Sequence, residues 1–254
     1  MMKECPYCGA NVEIVNGKGK CRYCGYVVTV EPTAPAKEEA YSPRESAPSY
    51  NNEAPNTSKT NAASNVYEKN VAGVCIIRNL EDRSSGSGFI YKSSGLVITN
   101  AHVIYYDEED RPSKNLNVIV NGKPYNAHVV ASNHPDGDND IALVQIDSND
   151  FFQELEVGNS KKVQNGEEVI AIGNPKGEGL SITRGIVSDC ERHYGDQHYI
   201  MSDVTINGGN SGGPLFNEKG EVIAICVSSR LEADNMNFFI PINHVLEFVH
   251  RWGY

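Results

Sequence analysis

The sequence of 254 residues predicts an all-β protein built on barrels, closed by one C-terminal helix and preceded by a small cysteine-rich module and a disordered tether. Three observations carry that expectation. Between residues 65 and 254, short β-branched and aromatic runs recur, each bounded by turn residues, as barrel strands do. Asn121-Gly122 lies between two such runs, and this dipeptide supports the positive φ angles of a tight hairpin. Only the stretch after Pro241 repeats apolar residues at helical spacing, through Val245, Leu246, Val249 and Trp252, with Asn243 as its N-cap.

Residues 1–30 carry Cys5-Pro6-Tyr7-Cys8-Gly9 and Cys21-Arg22-Tyr23-Cys24-Gly25, with twelve residues between Cys8 and Cys21. A Cys-x-x-Cys pair brings two thiolates together from one turn, and two pairs complete a tetrahedral four-sulfur site that suits zinc. Cys5, Cys8, Cys21 and Cys24 are the candidate ligands of one structural zinc ion. The competing readings are a redox pair or disulfides, but a thioredoxin-type pair needs a βαβ setting that this stretch lacks. So short a segment buries too little apolar surface to fold alone, so the metal would supply the folding free energy. The segment resembles the zinc-ribbon modules at the ends of many prokaryotic proteins. Lys3, Lys18, Lys20 and Arg22 against Glu4 and Glu13 leave +2, which a four-thiolate zinc centre neutralises. A protein partner therefore suits the ribbon at least as well as nucleic acid.

From Glu31 to Ser64 there is no Val, Ile, Leu, Met, Phe, Trp or Cys, and five prolines lie among Ala, Ser, Asn and Glu. Such a segment cannot offset its ordering entropy by burial, so it reads as a disordered linker spanning about 30–35 Å or more. The domain of residues 65–254 follows. Its expected strands cover residues 71–77, 88–91, 95–99, 116–120, 125–130, 141–146, 168–172, 180–182, 185–188, 214–216 and 222–227.

Composition narrows the function. A formal charge of −11 and a pI near 5.1 argue against a large nucleic-acid footprint, which needs clustered Lys and Arg. The N-terminus has no apolar signal region and no run approaches a membrane span, so neither secretion nor membrane insertion is expected. With Cys75, Cys190 and Cys226 scattered and odd in number, reduced thiols in the cytoplasm are the expected state.

The chemistry gathers on Thr205-Ile206-Asn207-Gly208-Gly209-Asn210-Ser211-Gly212-Gly213-Pro214-Leu215. Glycines on both sides of Ser211 let backbone N–H groups converge and leave room for an acyl group. Alone, this reads equally well as a glycine-rich turn. His102 follows the apolar run Leu96-Val97-Ile98-Thr99, and Asp140 opens Ile141-Ala142-Leu143-Val144. Both would stand at strand ends, where a sheet can hold them. A serine nucleophile needs an imidazole to take its proton and an acid to fix the imidazole tautomer.

With Gly86-Ser87-Gly88-Phe89-Ile90, Thr99-Asn100-Ala101-His102-Val103, Asn139-Asp140-Ile141-Ala142-Leu143, Gly173-Asn174-Pro175, Thr183-Arg184-Gly185-Ile186-Val187-Ser188, Asn210-Ser211-Gly212-Gly213-Pro214-Leu215 and Phe239-Ile240-Pro241 in this order, residues 66–254 resemble a trypsin-like serine protease of the HtrA/Deg type. The resemblance implies a double six-stranded β-barrel with the active site between the barrels. It implies Ser211 as nucleophile, His102 as base and then acid, Asp140 as the orienting acid, and the N–H groups of Gly209, Asn210 and Ser211 around the oxyanion. The family's PDZ domain is not expected after Tyr254, and its proline position is Gly208, which predicts a looser oxyanion loop. Thr205 stands six residues before Ser211 and is not an acid. With Ile206 and the strand Val227-Ser228-Ser229 it forms the expected substrate pocket, suited to small or aliphatic P1 residues. Polypeptide, unfolded for preference, is the expected substrate in protein quality control, with no cofactor for catalysis. Self-assembly is left open. The other reading is a non-catalytic protease-fold protein whose ribbon binds a protein or nucleic-acid partner.

Three further clusters carry little. Asp136-Gly137-Asp138-Asn139-Asp140 imitates a calcium loop, but Ile141 replaces the required glycine. Gly173 to Gly179 lacks the ending of a phosphate loop. His193 and His198 read as a surface loop, and His244 and His250 as exposed helix positions.

Overall fold

The computed structural model describes residues 2–4, 11–15, 18–20, 27–29, 62–136, 139–227 and 237–254. They divide into two compact units, Met1–Thr60 and Asn61–Tyr254. In the first, β1 (Met2–Glu4) pairs antiparallel with β2 (Asn11–Glu13), Glu4 opposite Asn11. Likewise β3 (Lys18–Lys20) pairs with β4 (Val27–Thr29), Lys20 opposite Val27. Each hairpin therefore has a connection of equal length, 5–10 and 21–26, and each connection carries one Cys-x-x-Cys pair. The four cysteines themselves lie outside the described residues, as does the expected linker up to residue 61.

The second unit opens on a helix, α1 (Ala62–Asn70), which takes in residues 62–64 of the expected linker. The sequence predicts helix only at the C-terminus, and the reason for the difference is tertiary. α1 buries Val66 and Asn70, and its end is held by Asn70 Nδ2 donating to the Val66 carbonyl and Gln153 Nε2 donating to that of Lys69.

The first barrel comprises β5 (Val74–Asn79), β6 (Ser84–Lys92), β7 (Leu96–Thr99), β10 (Leu116–Val120), β11 (Lys123–Ser132) and β12 (Ala142–Ile146), with a short excursion through β8 (Tyr105–Tyr106) and β9 (Arg111–Pro112). It closes in the order β10-β11-β12-β7-β6-β5. Val120 pairs with Lys123 across Asn121 and Gly122, at φ 50° and 77°, as the dipeptide predicts. The second barrel comprises β13 (Glu168–Gly173), β14 (Ser181–Tyr194), β15 (Gln197–Ser202), β16 (Pro214–Asn217), β17 (Val222–Val227) and β18 (Asn237–Pro241), closing as β13-β14-β15-β18-β17-β16.

Three details differ from expectation. The runs 180–182 and 185–188 fall in one strand, β14, which begins at Ser181, because Thr183 and Arg184 between them pair in unbroken register with Ala171 and Ile170 of β13. β15 and β18 escape a reading by composition: one is half polar, and the other is a buried run that ends in proline. Finally, α2 (Ile242–Arg251) is capped by Pro241 without a side-chain bond, and Asn243 is not its N-cap. Asn243 Oδ1 instead accepts from the Ser160 N–H and hydroxyl, and Ser160 Oγ accepts from the Asn243 N–H. Phe248, not Trp252, completes the buried face of α2.

One apolar cluster runs through the seam between the barrels. Phe89, Ile98, Ile141 and Leu143 from the first meet Ile170, Ile172, Phe216 and Ile225 from the second. Each barrel also keeps a core of its own. This seam positions the site.

Candidate active site

β7 ends at Thr99, and the chain turns at once into a single 3-10 turn, Ala101–Val103, with Ala101 and Val103 buried. His102 is the residue of that turn left partly open, its side chain 23% exposed. Asp140 arrives from the opposite side, one residue before the chain enters the buried run leading to β12. Asn139 takes φ 60° there, its carbonyl accepts from the Ile141 N–H, and Asn133 Nδ2 holds the same carbonyl. Asp140, 6% exposed, then grips His102 twice. Its Oδ1 accepts the His102 backbone N–H at 2.9 Å, and its Oδ2 lies 2.5 Å from Nδ1. Asn100 Nδ2 donates to the Asp140 backbone carbonyl at 2.7 Å, closing the arrangement.

Ser211 comes from the second barrel, on the turn before β16. Its carbonyl accepts the Ser87 N–H from β6 at 2.8 Å, so the serine is pinned directly to the first barrel. The next residue shows why it must be glycine. Gly212 has φ 79°, and a Cβ there would run into Thr99 Oγ1 and the Ser87 carbonyl and lie 2.9 Å from the Asn100 N–H nitrogen. The Ser211 turn is thus packed against the end of β7, three residues before His102. All three expected side chains sit on one seam.

The turn before Ser211 is tied at each carbonyl. Lys176 N–H donates to the Gly208 carbonyl at 2.7 Å, Ser87 Oγ donates to that of Gly209 at 2.7 Å, and the Gly213 N–H donates to that of Asn210 at 2.9 Å. Gly209 takes φ 97°, and a Cβ there would enter the Asn174 carbonyl. Of the three expected oxyanion donors, Asn210 differs: its N–H donates to the Asn207 carbonyl at 3.0 Å and so is used inside its own turn. A peptide flanked by glycines can close as a turn, and this one does.

In the expected substrate pocket, Thr205 is exposed, Ile206 half-buried and Val227 buried. Thr183 Oγ1 donates to the Thr205 carbonyl. Ser228 and Ser229 lie outside the described residues. Cys75 and Cys226 are buried, and burial pushes both thiols far above their ordinary pKa, so neither competes as a nucleophile. His193 and His198 face each other on the paired strands β14 and β15, not on a loop, their rings stacked 5.4 Å apart. His198 also packs edge-on against His244, which is half-buried. Hairpin register and the turn of α2 bring them together, which spacing alone does not reveal. Among the described residues no three His, Cys, Asp or Glu side chains converge as a metal site.

Sequence reasoning passes over Ser87, Asn174 and Lys176. The signal for Ser87 is its flanking glycines, Gly86 and Gly88, which let backbones approach closely. Lys176 sits in the segment that imitates a phosphate loop, and its φ of 58° turns the N–H toward Gly208.

Residues 86–225 match the model of the trypsin-like peptidase domain. The chain is similar to serine protease HTRA3 of Rattus norvegicus, 38% identical over 177 residues, which cover 66% of this chain and 38% of that protein. It is also similar to the mitochondrial serine protease HTRA2 of Bos taurus, 38% identical over 175 residues, or 66% of this chain and 36% of that protein. Human serine protease HTRA4 is 39% identical over 176 residues, 66% of this chain and 35% of its own length. The chain thus spans less than two fifths of these relatives.

Proposed function

The chain belongs to the trypsin-like peptidase family, and on that premise we propose that it is an HtrA-type serine endopeptidase acting through Ser211, His102 and Asp140. The observation that carries this reading is the double grip of Asp140 on His102, at 2.9 Å to the backbone N–H and 2.5 Å to Nδ1. A carboxylate at Nδ1 favours the tautomer with the proton there, which leaves the Nε2 lone pair to act as base. His102 then takes the Ser211 hydroxyl proton as Oγ bonds to the scissile carbonyl carbon. The oxyanion so formed is met by the N–H groups of Gly209 and Ser211, each well-aimed donor being worth about 2.7–4 kcal/mol. As the intermediate collapses, His102 gives the proton to the leaving nitrogen, the C–N bond breaks, and an acyl-enzyme remains. Water, deprotonated by His102, attacks that ester and restores Ser211. Asp140 stays ionised throughout and stabilises the imidazolium.

Small or aliphatic P1 residues are supported by the uncharged Thr205 and the apolar Ile206 and Val227. Extended, unfolded polypeptide suits a catalytic seam between two barrels. Buried free thiols at Cys75 and Cys226 support a reducing, cytoplasmic setting. For the first unit, the reading is one structural zinc held by Cys5, Cys8, Cys21 and Cys24, with the ribbon serving a protein contact. The matched hairpins that carry the two pairs support it. So does the thin core, since among the described residues Val12, Ile14 and Val28 are the buried hydrophobic side chains there.

A fluorophosphonate probe tests the central claim. Wild type is expected to be labelled and Ser211→Ala not. Equal labelling of the two refutes the peptidase reading and favours a non-catalytic binding protein.

A further inference from the structure

We propose that Ser87 is a positioning residue for the oxyanion turn, acting through its hydroxyl rather than through contact with substrate; the inference rests on the peptidase reading above. Ser87 lies on β6 of the first barrel, and none of its surface is exposed. It makes four bonds. Its N–H donates to the Ser211 carbonyl at 2.8 Å, and its own carbonyl accepts from Thr99 Oγ1 at 2.7 Å. Its hydroxyl donates to the Gly209 carbonyl at 2.7 Å and accepts the Asn174 N–H at 2.9 Å.

These bonds bracket the donors that must hold still. A peptide unit is planar, so fixing one carbonyl fixes the direction of the N–H on the same plane. The Gly209 N–H shares its plane with the Gly208 carbonyl, which Lys176 holds. The Ser211 N–H shares its plane with the Asn210 carbonyl, held by Gly213. Between these two planes lies the Gly209–Asn210 peptide, whose carbonyl Ser87 Oγ fixes. Without that bond the middle plane is held only through the Asn210 N–H, inside the same turn. The two outer planes then lose their fixed relation. Because the same hydroxyl accepts from Asn174, it also ties the Asn174–Lys176 segment to the turn that this segment grips.

The hydroxyl is closely packed. A Cβ at Gly173 would lie 3.2 Å from Ser87 Oγ, and one at Gly213 would lie 3.1 Å from Ser87 Cβ. A larger side chain has no room, so the informative change is Ser87→Ala. It leaves the Gly209 carbonyl and the Asn174 N–H without this partner while keeping both Ser87 backbone bonds.

The test compares wild type, Ser87→Ala and Asn79→Ala on one peptide substrate, with the thermal transition of each recorded. Asn79 is the stability control. It is 1% exposed, donates to the Tyr105 carbonyl and accepts the Asp82 N–H, neither a residue of the oxyanion turn. Expected for Ser87→Ala is a fall in kcat of about 10- to 100-fold with KM within about threefold, as for misplaced rather than deleted donors. Asn79→Ala is expected to lower the transition temperature and leave kcat near wild type. If Ser87→Ala retains kcat, fails to fold, or loses activity only as Asn79→Ala does, Ser87 is merely a buried structural hydroxyl and the inference is overturned. If wild type is labelled by fluorophosphonate no better than Ser211→Ala, the peptidase reading fails instead.

Discussion

Adjacent glycines before the proposed nucleophile, Ser211, face opposite constraints, and replacing each with alanine separates them. At Gly208 a Cβ would meet no atom within 4 Å, and the backbone is outside the left-handed region. Alanine there acts on the unfolded chain, removing conformations that folding must exclude, and stabilises by about 0.4–1 kcal/mol. For a folded unit of this size that raises Tm by about 1–4 °C. If all of it served to order the oxyanion turn, the labelling rate would rise about two- to fivefold, at about 1.36 kcal/mol per factor of ten. That is the ceiling on any looseness due to Gly208, whose carbonyl is already held by Lys176.

At Gly209 the outcome reverses. A φ of 97° strains any L side chain, and the added Cβ would lie 3.2 Å from Lys176 N as well as entering the Asn174 carbonyl. Backbone strain of about 1–3 kcal/mol adds to displacement of the donor plane. Loss of one oxyanion donor costs about 10²- to 10³-fold in kcat. Scanning calorimetry and the fluorophosphonate rate read both effects. A Gly208→Ala protein that labels more than tenfold slower, or a Gly209→Ala protein that labels like wild type, refutes the reasoning.

Asp140→Asn keeps a partner for the His102 backbone N–H but presents an amide to Nδ1, favouring the wrong tautomer; kcat is expected to fall about 10⁴-fold at neutral pH with the fold intact. Retention of a tenth of the activity would sink the assigned role. Glu81 accepts from Arg111, the Lys114 N–H and Ser113, with the Arg111 bonds foremost in holding its carboxyl down at about 2 from an ordinary 4.5. The unfolded chain takes up the proton first, so this contribution is complete above pH 4.5 and is lost as pH falls through about 2. The Tm gap between wild type and Glu81→Gln is therefore expected to shrink across that window; a gap independent of pH contradicts it. A chelator strong enough to strip zinc is expected to release about one metal ion and expose four more reactive thiols. Cys75 and Cys226 should stay unreactive until the second unit unfolds, and chelation without new thiols argues against the ribbon.

The barrels are legible because their strands alternate or run apolar between turn residues, and because Asn121-Gly122 has one favoured use. What escapes is held by tertiary contact. α1 has no apolar stripe wide enough to announce itself, since Val66 is its one fully buried apolar side chain and the amides of its own Asn70 and of distant Gln153 hold its carbonyls. Asn243 looks like a cap because caps are polar, yet its side chain serves Ser160, distant in sequence and adjacent in the fold.

The site divides along the same line. The proposed triad of Ser211, His102 and Asp140 can be picked out because chemistry restricts the residue types that can serve and the motif frames restrict where they stand. The contacts that aim the Ser211 turn are mostly main-chain: the Lys176 N–H on the Gly208 carbonyl, the Gly213 N–H on that of Asn210, the Ser87 N–H on that of Ser211. Every residue but proline carries an N–H, so identity says nothing about which N–H is used. The exceptions leave a trace of exclusion rather than of presence. Gly209 is glycine because the Asn174 carbonyl occupies the space a Cβ needs, Gly212 because Thr99 Oγ1 and the Ser87 carbonyl do, and a Cβ at Gly86 would meet Val103 and lie 3.1 Å from the Ser211 carbonyl. A glycine pattern on two distant segments therefore marks one contact between them. Gly86-Ser87 and Ser211-Gly212 are thus two sides of one junction, closed by the Ser87 N–H on the Ser211 carbonyl.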